Sequence, residues 1–547
     1  MTDIRVLVAW YSQLTINSRL HMLPLHMKHT TRLLLLSLMI TQFANVSCTT
    51  ETDSPELLWV QYGLANNTLK LAAHTDADPM NPTEARAILQ LRVGGSWQTV
   101  AEVNVDPLTT VAEFRIDEWD TTQSSRYRVS CGSSQIEGTV RADPIEKNIL
   151  KLMAISCVND KKFPYRKTVE QMIDQDPDLL FFAGDQLYQT NSGGETLEAE
   201  TEEDVLPAMA SYLAKWRKFG LTFADLLKDR PSIIITDDHD VYARDLWGDG
   251  GRRMTGDRTD GGYLYPKWVN AVERVQTWHL PDPVNPGPWG NAGIFAYFTS
   301  LEYGGVSFAI LEDRKFKSPP TDILKKAVDN PRTNKPNTTL EVIMDPTFDT
   351  RTLDAPGLNL LGEAQEDFIG KWATQVAKTD RLAAVLHQSP LVNVGNYQRT
   401  FGDMDSNGWP PTARNNALRA LNPANSVMIS GDLHYGVILQ QGIDDWGDGP
   451  WAYSLPPFGS GQGRVWDPVE PPQGGAIPGM PGSGNHFDRF GNKLTVLAKA
   501  DGIVGYGMIL FDKDAGEIEL QFHPMDPGTR EPISIDVPGW PKRIKVK

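Results

Sequence analysis

Between residues 53 and 145 apolar and polar positions alternate in short runs: LLWVQYG, TLKLAAH, AILQLRV, WQTVAEVNV, AEFRID and RYRVSC. Turn-forming residues separate them. Alternation with period two puts every second side chain on one face, so the spacing predicts a small β-sandwich. From residue 149 the texture changes. Apolar runs at 149–156 (ILKLMAIS), 178–183 (DLLFFA), 232–236 (SIIIT), 306–311 (VSFAIL), 381–386 (RLAAVL) and 426–430 (SVMIS) predict strands covered on both faces. Residues 168–173, 208–227, 265–278, 363–377 and 413–421 carry helical periodicity between them. Strands alternating with helices make an α/β pattern. From about residue 456 to 492 the chain is rich in Gly and Pro, and it closes on the strand-like runs TVLAKA, YGMILFD and EIELQFHP. There is no internal repeat.

The front of the chain reads as an address. Residues 33–40 (LLLLSLMI) are too few to span a bilayer. Met27, Lys28, His29 and Arg32 precede them, the layout of a signal peptide over 27–48, with 1–26 an upstream start extension. Cys48 stands where a lipoprotein is cleaved and acylated, although Asn45 replaces the usual Leu; plain secretion is the alternative. The expectation is export to the periplasm, cell surface or medium, with a membrane contact only through a lipid anchor at Cys48. The remainder divides into a sandwich at 53–145, a catalytic domain at 149–530 with its Gly/Pro-rich loop at 456–492, and a tail at 531–547.

Composition sharpens this in two ways. The chain is 40% hydrophobic and 22% charged, values of a soluble globular protein. Its 69 acidic and 52 basic residues leave a net charge of −17, which argues against nucleic acid as a main partner. Three cysteines exclude a disulfide framework.

The candidate chemistry lies where each buried-type strand ends. The six runs lead into Ser156-Cys157, Gly184-Asp185-Gln186-Leu187-Tyr188, Asp237-Asp238-His239-Asp240, Glu312-Asp313-Arg314, His387-Gln388 and Gly431-Asp432-Leu433-His434. In an open α/β sheet the functional crevice lies at the carboxyl ends of the strands, so these clusters predict one shared site. Crowded carboxylates repel unless a cation neutralises them. Two metals a few ångströms apart clamp a phosphoryl group and activate a water. A thiolate and a phenolate suit a strongly Lewis-acidic ion such as ferric iron better than Mg²⁺.

These ordered motifs resemble the calcineurin-like metallophosphoesterases, and PhoD-like alkaline phosphatases most closely. The residues that carry the resemblance are Ser156-Cys157, Gly184-Asp185 with Tyr188, Asp237-Asp238-His239, Leu311-Glu312-Asp313-Arg314, Leu361-Gly362-Glu363-Ala364-Gln365 with Trp372, and Ser430-Gly431-Asp432 with His434. The resemblance spans roughly residues 53–530. It implies a layered α/β/β/α core preceded by a fibronectin/Ig-like sandwich, and an exported phosphoesterase acting on phosphomonoesters, phosphodiesters or both through a metal-bound hydroxide. It implies that Asp185 bridges two metals, that Cys157 and Tyr188 are the anionic ligands of an iron position, and that Asp238 serves the second metal. Asp432 and His434 match the final motif, one per metal. His239 resembles the residue that contacts phosphate or protonates the leaving group. His387 is the third histidine candidate, with Gln388 as the alternative. Arg314 is expected to steady a phosphate oxygen by a charge-assisted hydrogen bond. Iron with calcium is implied by the resemblance alone, other divalent metals remaining open, and the partner is a small phosphoester.

Other readings stand beside these. Cys157 paired with Cys131 is an alternative to a metal ligand. Asp237 is read as supporting the site, Asp240 as pairing with Arg244, and His279 as structural. His74, His486 and His523 have no partner that sequence identifies. The turn Asp403-Met404-Asp405-Ser406-Asn407-Gly408 opens like an EF-hand loop but has Arg414 where the twelfth-position Glu belongs. It is read as a candidate rim of the site. A non-catalytic surface binding protein on a degenerate fold, or a phosphonate or phospholipid-headgroup hydrolase, are the remaining function classes. Loops 189–206, 245–262 and 456–492 are expected to set substrate choice.

Overall fold

Short apolar strands and amphipathic helices form where the pattern places them, and the strand faces explain why. The computed structural model describes residues 54–189, 195–243, 246, 248, 253, 262–285, 287–289, 293–329, 338–339, 342–395, 401–461 and 463–546. The leader and Cys48 lie outside these residues, as do Arg244 with its pairing to Asp240, and most of loop 245–262.

Seven strands come first: β1 (Leu57–Ala65), β2 (Thr68–Thr75), β3 (Arg86–Val93), β4 (Ser96–Asn104), β5 (Val111–Ile116), β6 (Ser125–Cys131) and β7 (Ser134–Val140). They form an antiparallel sheet β1–β2–β5 and a second, β4–β3–β6–β7. Tyr62, Leu71 and Phe114 of one sheet and Leu89, Tyr127 and Val129 of the other are buried in one cluster.

β8 (Ile149–Ile155), β9 (Leu179–Ala183) and β10 (Ser232–Ile235) then run parallel. β11 (Thr299–Tyr303) and β12 (Val306–Ile310) form a hairpin, and β13 (Ala383–Leu386) and β14 (Val427–Ser430) follow parallel to β12. With β15 (Gly436–Gln441), β16 (Trp451–Ser454), β17 (Gly484–Phe487) and β18 (Lys493–Ala500) they make an eight-stranded sheet ordered β11–β12–β13–β14–β16–β15–β18–β17. β19 (Val504–Asp512), β20 (Glu517–Met525) and β21 (Lys542–Lys545) add to β8, giving a six-stranded sheet β10–β9–β8–β19–β20–β21. The helices are α1 (Arg166–Asp174), α2 (Val205–Leu227), α3 (Pro266–Thr277), α4 (Pro320–Asp329), α5 (Glu363–Val376) and α6 (Pro411–Leu421). Sequence periodicity had not suggested α4.

Alternate residues on each strand serve different cores. Leu152, Ala154, Phe181 and Ile233 of the six-stranded sheet meet Phe308, Ile310, Leu386 and Ile429 of the eight-stranded one. Their neighbours Met153, Ile155, Phe182 and Ile234 pack with Met209, Trp216, Phe219 and Val272 of α2 and α3. On the far side Ala309, Val385 and Met428 pack with Ile369, Trp372 and Leu418 of α5 and α6. A strand covered on both faces has no polar face to keep, which is why the runs are unbroken. Ser54–Lys547 pack as one compact unit. Among the described residues no helix is long and apolar enough to cross a membrane.

The histidines away from the strand ends are structural and have partners. His74 stacks on Trp59 with ring centroids 4.1 Å apart, and His523 stacks on Tyr506 at 4.9 Å. His486 Nε2 lies 3.2 Å from the Ser483 carbonyl. Two of these contacts face each other across antiparallel strand pairs, Trp59 with His74 and Tyr506 with His523, and depend on the strand register. The disulfide alternative is overturned, since Cys131 and Cys157 are both free and buried.

His279 is buried with Nδ1 3.1 Å from Gln61 Nε2 and Nε2 3.1 Å from the Ser232 carbonyl. Burial holds it down to about 3, against about 6.5 in an unfolded chain. Between those values the unfolded chain binds the extra proton. The stability His279 lends is therefore whole above pH ~6.5 and falls below it by about 1.4 kcal/mol per pH unit. His279→Gln should remove that slope. Chemical denaturation at pH 7 and pH 5 should show the parent losing more stability than the variant by about one proton's worth; equal losses would refute the assignment.

Candidate metal centre

The parallel strands deliver their polar ends to one edge. Cys157 follows β8, Asp185 and Tyr188 follow β9, Asp237–Asp240 follow β10, and Asp432 and His434 follow β14. Four of these residues leave the strand by a left-handed turn: Cys157 (φ 56), Asp185 (φ 58), Asp432 (φ 60) and His434 (φ 54). Such a conformation costs an L-residue on the order of 1–2 kcal/mol, and it is held here by tertiary bonds. The Cys157 N–H donates to the Gly184 carbonyl at 3.3 Å, and Val158 N–H to Asp185 at 2.9 Å. Residues 458–461 lie along the Cys157 turn. Phe458 N–H donates to Ser156 at 2.7 Å and Ser460 N–H to Cys157 at 3.3 Å.

Three groups of ligand-type atoms result, each within 4.8 Å: Cys157, Asp185 and His434; Asp185, Asp238 and His239; Asp237, Asp238 and Asp432. Asp185 belongs to the first two, and Asp238 links the last two. Within the first group the Tyr188 hydroxyl donates to Asp185 Oδ2 at 2.8 Å and lies 2.9 Å from His434 Nε2. The Tyr188 ring also lies against His239, centroids 4.2 Å apart. His239 is 27% exposed at its side chain, and the two histidines are the half-buried members of the set. Its Nδ1 lies 2.7 Å from Gln189 Oε1, which turns Nε2 towards Asp238 at 3.8 Å.

Electrostatics make this set a receptor for cations. Burial, then the neighbouring Asp237 and Asp240, push Asp185 well above the usual carboxylate range. Burial and Asp185 do the same to Asp238, and to the Cys157 thiol. Tyr188 is raised by burial and by Asp185. Asp238 Oδ1 is buried without a hydrogen-bond partner. Buried carboxylates that resist ionisation, one with an orphaned oxygen, beside a thiol and a phenol, form the donor set that bound cations would ionise and satisfy.

Arg314 corrects the expectation placed on it. It is wholly buried and every donor is engaged. Nε donates to Asp237 at 2.8 Å and Nη2 to Asp237 at 3.3 Å; Nη1 donates to the Asp405 carboxylate at 2.7 Å and carbonyl at 3.3 Å; Nη2 also meets Asp432 at 2.9 Å. No donor is left for a phosphate oxygen. Although burial pushes Asp432 up, Arg314 and Ser389 outweigh it and hold that carboxyl below its ordinary value.

His387 stands apart from the three groups among the described residues: its Nδ1 lies 2.8 Å from Asp313, and its Nε2 is buried without a hydrogen-bond partner. Gln388 is tied to the Thr236 carbonyl at 3.2 Å and the Asp313 N–H at 3.2 Å. Asp240 accepts N–H bonds from Asp185 at 2.8 Å, Gln186 at 3.1 Å and Asp237 at 3.0 Å, and so frames the turns. Sequence reasoning missed Gln189, Ser460, Gly461 and Lys317. It had noticed Asp405, in the acidic turn, without linking it to Arg314.

A family model described as PhoD-like phosphatase matches residues 152–448, more than half of the chain. The chain belongs to the PhoD-like phosphatases. No curated protein sequence matches it. Among solved structures, that of PhoD superposes with a TM-score of 0.60 at 15% identity, over 87% of this chain and 88% of its own. A purple acid phosphatase from yellow lupin (Lupinus luteus) seeds superposes at 0.50 with 11% identity, over 86% and 72%. As a PhoD-like phosphatase the protein is a metal-dependent phosphoric ester hydrolase, and the binding-protein alternative falls away.

Gly461 packs on His434 so closely that a Cβ there would stand 1.4 Å from Nδ1, at a backbone φ of +58°. Gly461→Ala must turn the imidazole. This PhoD-like phosphatase should then bind metal roughly 10–100-fold more weakly, with unchanged far-UV circular dichroism. Metal titration of the stripped protein checks it; unchanged affinity would remove His434 from the ligand set.

Proposed function

We propose that the protein is an exported phosphoesterase cleaving small phosphomonoesters, phosphodiesters or both at a centre of two cations. The supporting observation is a charge imbalance. The buried centre holds six carboxylates, of Asp185, Asp237, Asp238, Asp240, Asp405 and Asp432, against two cationic side chains, Arg314 and Lys317. Arg464, near His434, is offset by Asp403 at 3.4 Å. Four negative charges remain, and a Cys157 thiolate and Tyr188 phenolate would add two more. An excess of that size calls for more than one bound cation; iron with a divalent ion such as calcium is the pairing suggested by the thiol and phenol among the donors.

In this reading Cys157, Tyr188, His434 and Asp185 would hold the first cation, and Asp185, Asp238 and Asp432 the second. When bound, the cations supply Lewis acidity towards the phosphoryl oxygens and an activated water. The chain's own residues do the rest. His239, oriented by Gln189 and by the Tyr188 ring, delivers a proton from Nε2 to the departing oxygen. Asp237 and Arg314 keep Asp432 in place. The excess negative charge of the chain disfavours polyanionic substrates at long range and so favours small ones.

The finer architecture and location belong to the same proposal. The two N-terminal sheets are read as a fibronectin/Ig-like sandwich over 53–145 and the two large sheets with their helices as a layered α/β/β/α core. The 27–48 leader is read as directing export, by plain secretion or with a lipid anchor at Cys48.

Hydrolysis of p-nitrophenyl phosphate and bis(p-nitrophenyl) phosphate, with and without a strong chelator, tests the reaction and ranks the two esters. Asp185→Asn should lose turnover and metal together. His239→Gln should keep its metals while kcat falls about 10²–10⁴-fold. Full activity in His239→Gln, or turnover untouched by the chelator, would overturn the assignment.

A further inference from the structure

The acidic turn 403–408 and the side chain of Lys317 meet beside Arg314. Lys317 is wholly buried. Its ammonium donates to three successive carbonyl oxygens, those of Met404 at 2.7 Å, Asp405 at 2.5 Å and Ser406 at 3.1 Å. Backbone carbonyls converging on one positive charge are how a turn binds a hard cation. Here the positive charge is covalently part of the chain, 88 residues from Asp405 in sequence. A buried ammonium deprived of partners costs several kcal/mol, so the turn and Lys317 depend on each other.

The turn is fixed on its other sides. Asp405 N–H donates to Asp403 Oδ1 at 3.1 Å, and Ser406 Oγ donates to the Asp403 carbonyl at 2.9 Å. Asn407 Nδ2 donates to the carbonyls of Asp313 and Ser389, each at 3.3 Å. So held, the turn aims Asp405 Oδ1 at Arg314 Nη1, 2.7 Å away, while the other arm of the same guanidinium reaches Asp432 at 2.9 Å. The contacts run Lys317, Asp405, Arg314, Asp432 without a gap.

We infer that Lys317 is a positioning residue of the metal centre, the built-in cation of the 403–408 turn, which sets Asp405 and through it the Arg314 fork that holds Asp432. This rests on the reading of Asp432 as a metal ligand. It also gives the EF-hand-like opening of the turn a role: the turn binds a cation, and that cation is a side chain. Lys317 acts on the ligand geometry and touches neither substrate nor metal.

The test is Mn²⁺ binding by the chelator-stripped full chain, with free Mn²⁺ counted by electron paramagnetic resonance. Lys317→Ala and Asp405→Asn should each weaken binding roughly 10–100-fold, and the double variant should lose little more than either alone. n-Propylammonium, which replaces the deleted three carbons and charge, should restore affinity to Lys317→Ala and leave Asp405→Asn unchanged. A purely structural lysine predicts a lower melting temperature with normal affinity in the folded protein, and that result would overturn the inference. If Lys317→Ala does not fold, Asp405→Asn decides alone, and normal affinity there overturns it. Asp432→Asn separates the two levels. Unchanged Mn²⁺ affinity in Asp432→Asn defeats the ligand assignment itself; weakened affinity there, with Asp405→Asn normal, defeats only the role of Lys317.

Discussion

Negative charge gathered in a dry place is the constraint on which the rest depends. Asp185, Asp237, Asp238 and Asp432 lie at the ends of neighbouring strands, each at most 9% exposed. Removing one partner from a buried ion pair typically costs about 3–5 kcal/mol, and like charges this close cannot all ionise unaided. The fold answers with permanent cations from its own chain on one side of the cluster and with room for exchangeable ones on the other. Arg314 engages Asp237, Asp405 and Asp432. The Cys157, Asp185 and Asp238 side is left without such a partner, and that side carries the orphaned Asp238 oxygen. Arg314 thus offsets charge on one side of the cluster, while the carboxylates, thiol and phenol of the other side are the donors a cation would take up.

The backbone pays for this arrangement in conformation. Parallel strands bring their ends together, but a strand simply continued would carry its next residues past the crevice. The left-handed turns at Cys157, Asp185, Asp432 and His434 fold each side chain back to the shared point. Close approach follows. A Cβ on Gly431 would fall 1.8 Å from Ser156 Oγ, the same hydroxyl that accepts the Asp432 N–H at 3.2 Å. Strain of this kind persists where surrounding structure over-determines it, and here the overlying segment 458–461 supplies the constraint.

Much of this was legible in the sequence, for identifiable reasons. Six buried-type runs became strands within a residue or two of their expected ends, because a strand covered on both faces has an unmistakable apolar signature. The polar residues at their ends named the site, since several metal-ligand residue types recur there on neighbouring strands. His387 sits at the right strand end, with Asp313 on its Nδ1 and its Nε2 without a partner. What failed was one assignment of direction. Arg314 sits in the right motif, yet its donors turn inward to carboxylates. Neither outcome is encoded in local pattern: each depends on a partner 74 to 91 residues away. The left-handed turns were equally hidden, because none of the four is glycine.

The two buried cations also explain each other's identity. Arg314 must satisfy acceptors on three different residues at once, and only a planar fork with five donors spans them. A lysine there would offer one point of charge and would leave at least one of Asp237, Asp405 and Asp432 unpaired. At residue 317 the requirement is reversed. Three carbonyls of one turn converge on a single point, and a guanidinium plane cannot place its donors at their common focus, whereas an ammonium can. A point charge therefore orders the turn, and a fork distributes that order among the carboxylates. Neither residue could take the other's place, so the geometry of Asp432 rests on two different basic side chains used for their different shapes.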